Sequence, residues 1–308
     1  MTDPGGGPPG GPARVRAAAA ATGTARDADP ANGSATTSGA GVLHPERLDH
    51  AATLTRHACD RALSRWVEWY WRLTWDLPGG TSYPSHTLPH PTSNLSVELG
   101  CTRRGVGTDP VVLTGVVTRR FDVTLTGSGL VVAAKFRPGG LTALTGTSAR
   151  TLRDRVVPAR TLLPAAALGP LYRVHDATTT TEGIAALDSA LLAVADGAPD
   201  DARYDRVLMI VAELLADRSL TQVGQVQHRY GLSARSLQRL FLHYLGVGPK
   251  WVILRYRIHD AVSDLDAGYA GQLSVLAASL GWYDQAHFIR DFTALVGQTP
   301  GGYRRGLG

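Results

Sequence analysis

Apolar residues along this chain change their period midway. Between residues 94 and 136 they come in short runs, 94–99, 111–117, 121–125 and 130–136, separated by Gly and Pro. Short alternating runs bounded by turn formers predict strands, and a regular series of them predicts a small barrel or sandwich. The stretch 135–140, Lys-Phe-Arg-Pro-Gly-Gly, then leads into a helix expected over 141–149. From residue 182 the spacing becomes three and four: Ile184, Leu187, Leu191 and Val194 mark an amphipathic helix over 182–195. Asp196-Gly197-Ala198-Pro199-Asp200 breaks it. Helical spacing resumes over 204–216, 223–230, 234–245, 250–265, 273–280 and 284–296, with a last turn from Pro300.

The two ends of this pattern differ in kind. Residues 1–42 are Gly, Pro, Ala, Ser and Thr with almost no large apolar side chain, too little to offset the entropy of ordering, and a disordered tail is expected. Four segments follow: the tail 1–42, an N-terminal domain 43–180, a helix and linker 181–203, and a helical domain 204–308. At 308 residues, 44% hydrophobic and 19% charged, the chain can support two cores. A net charge of +5 does not by itself indicate nucleic acid.

Two cysteines, Cys59 and Cys101, in a chain of this length fit a reducing compartment, and neither lies in an activating motif. No apolar run approaches the roughly 20 residues needed to span a bilayer. The start, Met1-Thr2-Asp3-Pro4, lacks the basic-then-apolar order of a signal peptide. The expected location is the cytoplasm, without membrane contact.

Within the helical half one pattern is written twice. Arg239-Leu240-Phe241, Gly246 and Pro249 recur 51 positions later as Arg290-Asp291-Phe292, Gly297 and Pro300. Each copy follows a glycine, Gly231 or Gly281, that closes a short apolar helix. In the first, Val223 and Val226 face inward, Gly231 turns, Ser233 caps, and Leu237 and Phe241 pack back. Arg235, Gln238 and Arg239 are left on the outer face. In the second, Leu273, Leu276 and Leu280 face inward, Gly281 turns, Asp284 caps, Phe288 and Phe292 pack, and Gln285, His287 and Arg290 are left outside. Arg pairs with guanine and Gln with adenine in a major groove wide enough for a helix, so two such units point to two DNA-reading heads. A solvated face on an ordinary bundle explains one such helix, but not two with matched spacing.

Residues 206–305 resemble the DNA-binding domain of AraC-type (AraC/XylS) transcriptional regulators. The second unit carries Leu276-Ala277, Gly281-Trp282, Asp284 to Phe288, Arg290, Phe292, Gly297, Thr299-Pro300 and Tyr303-Arg304. The first carries Gly231-Leu232-Ser233, Arg235, Leu237, Arg239, Phe241, Gly246, Pro249, Arg257 and Ala261. The resemblance implies an α+β protein: a mainly-β, cupin-like small-barrel domain, then an all-α domain whose two helix-turn-helix units are joined by a long helix. It implies that the helices over 234–245 and 284–296 enter successive major grooves of double-stranded DNA. Arg206, Arg218, Arg229, Arg255, Arg304 and Arg305 are the candidate phosphate contacts. A small-molecule effector, RNA polymerase and a second copy of the chain are further partners open to such a regulator; no cofactor and no catalysis are implied.

Two departures concern packing. Gln227 stands four residues before the first turn glycine, where the family has a small residue, and Val252 stands where it has an aromatic. Both predict an atypical first head. In the N-terminal half, Trp66, Trp69, Trp71 and Trp75 fit a core at near-helical spacing or an aromatic ligand pocket. His86, His90 and Glu98 have the residue types of a metal site, which leaves a metal-dependent cupin-type enzyme as the alternative. Two loop histidines flanking Pro89 fit solvent exposure better.

Overall fold

The computed structural model describes residues 37, 41–100, 107–176, 179–198 and 200–307. Most of the expected tail over 1–42 lies outside the described residues, as does Cys101. The N-terminal domain is mainly β. Its strands are β1 (Ala52–His57), β2 (Val67–Asp76), β3 (Ser82–Thr87), β4 (Asn94–Leu99), β5 (Val111–Thr114), β6 (Phe121–Thr126), β7 (Ser128–Phe136) and β8 (Val156–Pro158). Six form one sheet in the order β1-β2-β7-β4-β5-β8, while β3 and β6 pair as a separate ribbon.

The tryptophan run is a strand and not a helix. β2 is bonded on both sides, to β1 and to β7. Aromatic side chains suit a pleated, half-buried surface, and over residues 70–75 the strand is paired on both edges. Trp75 is buried, whereas Trp69 and Trp71, on the same sheet face, are half-buried.

Helices α1 (Pro45–Leu48), α2 (Gly140–Thr145), α3 (Ala165–Tyr172) and α4 (Thr180–Ala195) complete this half. The helix expected over 141–149 stops at Thr145, because Gly146 takes the left-handed cap at φ 71. The chain resumes as a short 3-10 turn, Ala149–Thr151.

Everything after residue 201 is helical: α5 (Ala202–Ala216), α6 (Val223–Tyr230), α7 (Ala234–Leu245), α8 (Pro249–Asp266), α9 (Leu273–Ser279), α10 (Gln285–Val296) and α11 (Pro300–Arg305). α8 is buried on most sides, by Val252, Tyr256, Ile258, Ala261 and Leu265 among others. Its 18 residues span about 27 Å at ~1.5 Å each. The helical half has two cores, and each borrows from the N-terminal domain. Val116 and Ala143 join Val207, Leu237, Phe241 and Val252 in the first. Leu43 and Leu88 join Leu276, Phe288, Phe292 and Tyr303 in the second. No helix among the described residues is long and apolar enough to cross a membrane.

Candidate nucleic-acid interface

The two turns have one backbone. Gly231 adopts φ 60 and Gly281 φ 79, a left-handed conformation that glycine takes at little cost. After each glycine, the next amide reaches back to the first helix: Leu232 N donates to Gln227 O at 3.0 Å, and Trp282 N to Ala277 O at 2.9 Å. Each second helix then starts on the expected cap. Ser233 Oγ accepts from Ser236 N at 3.2 Å, and Asp284 Oδ1 from His287 N at 2.6 Å. The glycines that end these helices, Gly246 and Gly297, are left-handed as well, at φ 70 and 87.

With the apolar positions turned inward, the polar ones face out. Arg235, Gln238 and Arg239 are all exposed, and their i, i+3, i+4 spacing puts them on one stripe of α7. The Gln238 amide lies over Gly248, where a Cβ would come within 3.0 Å of it. On α10, Gln285, His287 and Arg290 are exposed. His287 and Arg290 share a face, while Gln285 opens the helix. His287 Nε2 lies 3.1 Å from Asp291 Oδ2, and Trp282 Nε1 donates to the same oxygen at 2.9 Å. A buried tryptophan thus fixes the carboxylate that orients a candidate reading residue.

The arginines expected on phosphates separate into groups. Arg206 and Arg305 are exposed. Arg218 lies 3.2 Å from Asp260 and from Asp264, and Arg229 pairs with Glu213 and with Asp217 at 3.0 Å, so a phosphate would have to displace carboxylates. Arg304 donates to Gly271 O at 3.0 Å. Arg255 is 0% exposed, which overturns its assignment to phosphate. Its guanidinium stacks on Trp251 at 4.5 Å and donates to Thr118 O of the N-terminal domain at 2.7 Å. Burial pulls its pKa down to about 10, against the attraction of Asp154.

The first head absorbs both sequence departures. Gln227 is half-buried, not sealed in the contact between the helices. Val252 is 0% exposed and fills the position taken by Tyr303 in the second head. Tyr283, which sequence reasoning passed over, is 96% exposed immediately before the Asp284 cap. Its position between a buried tryptophan and a cap residue was the available signal.

The histidines and glutamate considered for a metal do not come together. His86 bonds Asp122 at 2.7 Å, and Glu98 accepts from Ser96 Oγ at 2.7 Å. His90 is buried instead of solvent-exposed: its ring stacks on His259 of α8 with centroids 4.0 Å apart. Among the described residues no group of three His, Cys, Asp or Glu side chains could hold a metal ion. The Cys59 thiol is buried, and its pKa is pushed up to about 11, mainly by desolvation, so it lacks thiolate character at neutral pH.

A helix-turn-helix domain family matches residues 226–306, and a family described as a domain of unknown function matches residues 55–158. The C-terminal domain is an AraC-type helix-turn-helix domain. AraC-type domains bind DNA, and the exposed polar stripes of α7 and α10 lie on this one. Solved structures of ToxT from Vibrio cholerae are similar to the chain. One is 12% identical over 83% of this chain and 98% of that chain, with a TM-score of 0.40. Another, bound to (E)-4-(8-methylnaphthalen-1-yl)but-3-enoic acid, is 12% identical over 84% and 100%, with a TM-score of 0.39. No curated protein matches the chain.

Proposed function

We propose that this chain is a sequence-specific transcription regulator in which α7 and α10 enter successive major grooves of double-stranded DNA. The observation that carries this is the pair of exposed polar stripes set on turns of equal backbone geometry, one at each end of α8. Arg235, Gln238 and Arg239 read one groove; Gln285, His287 and Arg290 read the next. Guanidinium and carboxamide groups at these positions match the paired donors and acceptors of guanine and adenine. With α8 about 27 Å long and the heads extending beyond it, their separation suits the ~34 Å of one helical turn. Arg206 and Arg305 supply phosphate contacts.

In this reading residues 204–308 bind DNA and residues 43–180 modulate them, by an effector, a second copy of the chain or contact with RNA polymerase. The completion of both helical cores by N-terminal side chains supports that coupling. The protein acts in the cytoplasm, without catalysis.

Selection from random duplex DNA tests the reading. A defined sequence is expected to emerge, with affinity falling steeply as salt rises. Arg239→Ala and Arg290→Ala should weaken the selected site far more than unselected DNA. Equal losses on both would assign these side chains to phosphate, and failure to enrich any sequence would remove the proposal.

A further inference from the structure

The glycines that recur 51 positions apart do more than end two helices. Each is the place where the N-terminal domain touches a recognition helix. A Cβ on Gly246, after α7, would lie 2.8 Å from Ala149 O; one on Gly297, after α10, would lie 2.0 Å from Arg120 Nη1. Donors arrive at both helix ends from the same domain. At α7 they are Thr142 Oγ1 to Tyr244 O, Ser148 Oγ to His243 O and Arg153 Nη1 to Gly246 O, each at 3.4 Å. At α10, Arg120 Nη1 donates to Val296 O at 2.8 Å. The last turn of a helix has unpaired carbonyls and a partial negative charge, which guanidinium groups complement.

The two grips come from different parts of the N-terminal domain. Residues 142–153 follow β7 of the six-stranded sheet. Arg120 adjoins the β3–β6 ribbon, which pairs separately. Its Nε and Nη2 are held by Asp122 at 2.6 and 3.0 Å, and Asp122 is held in turn by His86 of β3 at 2.7 Å. A helix is a stiff rod, so holding its C-terminal end aims the reading turn at the other end. Over the 12 residues of α10, about 18 Å, a tilt of about 10° carries the first turn roughly 3 Å, close to one base-pair step.

We infer that the N-terminal domain is a caliper for the two heads. It grips α7 through residues 142–153 and α10 through Arg120, and so sets the spacing and tilt with which both meet DNA, with Arg120 as a positioning residue. Movement of the ribbon against the sheet changes that setting. This rests on the DNA-binding reading above.

The test uses the full chain and a site selected from random DNA, with one or two base pairs inserted between its half-sites. For the wild type, one inserted pair is expected to cost about tenfold or more in affinity. In Arg120→Ala that penalty should shrink to roughly threefold or less, while binding to an isolated half-site stays within about twofold. Arg120→Lys, which retains a donor for Val296 O, should restore most of it. An unchanged spacing penalty in Arg120→Ala, or an equal loss on the isolated half-site, would overturn the caliper.

A second readout needs no DNA. Spin labels at Ala234→Cys and Ala286→Cys, in the first turns of α7 and α10 and in a Cys101→Ser background, should give a broader distance distribution when Arg120 is Ala; an unchanged distribution would also overturn the inference. Should no DNA sequence enrich, the DNA reading falls and the label distances alone decide whether the caliper stands.

Discussion

In the second head the core is built around a chain of four aromatic side chains, with Leu43 and Leu88 of the N-terminal domain joining it. Trp282, Phe288, Phe292 and Tyr303 follow one another at centroid distances of 4.9, 5.6 and 6.0 Å, Arg257 lies 3.7 Å over Trp282, and Tyr303 bonds Asp266 at 2.9 Å. The first head surrounds Phe241 with Leu237, Val226 and Val252 and finishes the core with Val116 and Ala143 from the N-terminal domain. Two interiors this different carry turns whose hydrogen bonds agree within about a tenth of an ångström. The difference teaches that glycine conformation and cap chemistry set the turn. The core decides how strongly each head is held and by what.

The comparison is most exposed to loss of the paired phenylalanines. Phe292→Ala is expected to cost about 4 kcal/mol and Phe241→Ala about 3 kcal/mol, since edge-to-face neighbours add roughly 0.5–1.5 kcal/mol beyond burial. Denaturant unfolding of both variants measures this, and a larger loss at Phe241 would reverse the ranking.

Acid probes what lies between the heads. Burial holds His259 down to about 3 and His90 well below 6.5. Arg255 and Lys135 act on both rings in the same direction, and His259 and Arg56 add to the effect on His90. The open or unfolded chain binds protons near 6.5 while the docked form does not. Docked stability is therefore fully present above pH 6.5 and falls as the pH drops below it. The loss is at most about 1.4 kcal/mol per histidine per unit, or ~2.7 kcal/mol at pH 5.5. Melting temperatures between pH 7 and 5 should show this slope, and a His90→Gln/His259→Gln protein should lose most of it. An equal slope in the double variant would assign the acid sensitivity elsewhere.

Equality at the DNA surface is tested next. Arg239→Ala and Arg290→Ala should each remove about 1–3 kcal/mol of binding to the selected site. If only Arg290 matters, the first head is held off the groove despite its matched turn. The smallest contrast lies in the caps. Asp284→Ala should destabilise by somewhat more than Ser233→Ala, both near ~1 kcal/mol, because a carboxylate at 2.6 Å is a stronger acceptor for the helix start than a hydroxyl at 3.2 Å. Paired thermal melts would show whether that order holds.

Much of this was readable along the chain. α6, α7 and β4 have the bounds that spacing predicts, and both caps and both turn glycines do what their residue types favour. The tryptophan run was not readable, because Trp66 to Trp75 satisfies a helical spacing as well as a strand. Only bonding to β1 and β7 selects the strand. Arg255 on a joining helix looks like any cationic surface residue until the N-terminal domain covers it and the Thr118 carbonyl accepts its hydrogen bond. His90, beside a proline in a loop, is buried by a ring from a helix far along the chain. Each of these outcomes depends on a partner distant in sequence.

The sequence by itself determined the two turns, their caps and the polar stripes of α7 and α10. Those depend on left-handed glycine, on side chains within three residues of a helix start and on apolar residues one turn apart, all local. Tertiary structure alone decided which arginines stay exposed, which tryptophans are buried, and that one domain contacts both α7 and α10 at their ends. Burial and helix-end contacts are made between segments far apart in the chain, 93 residues for Arg153 and Gly246 and 176 for Arg120 and Val296, and no local pattern encodes which of them meet.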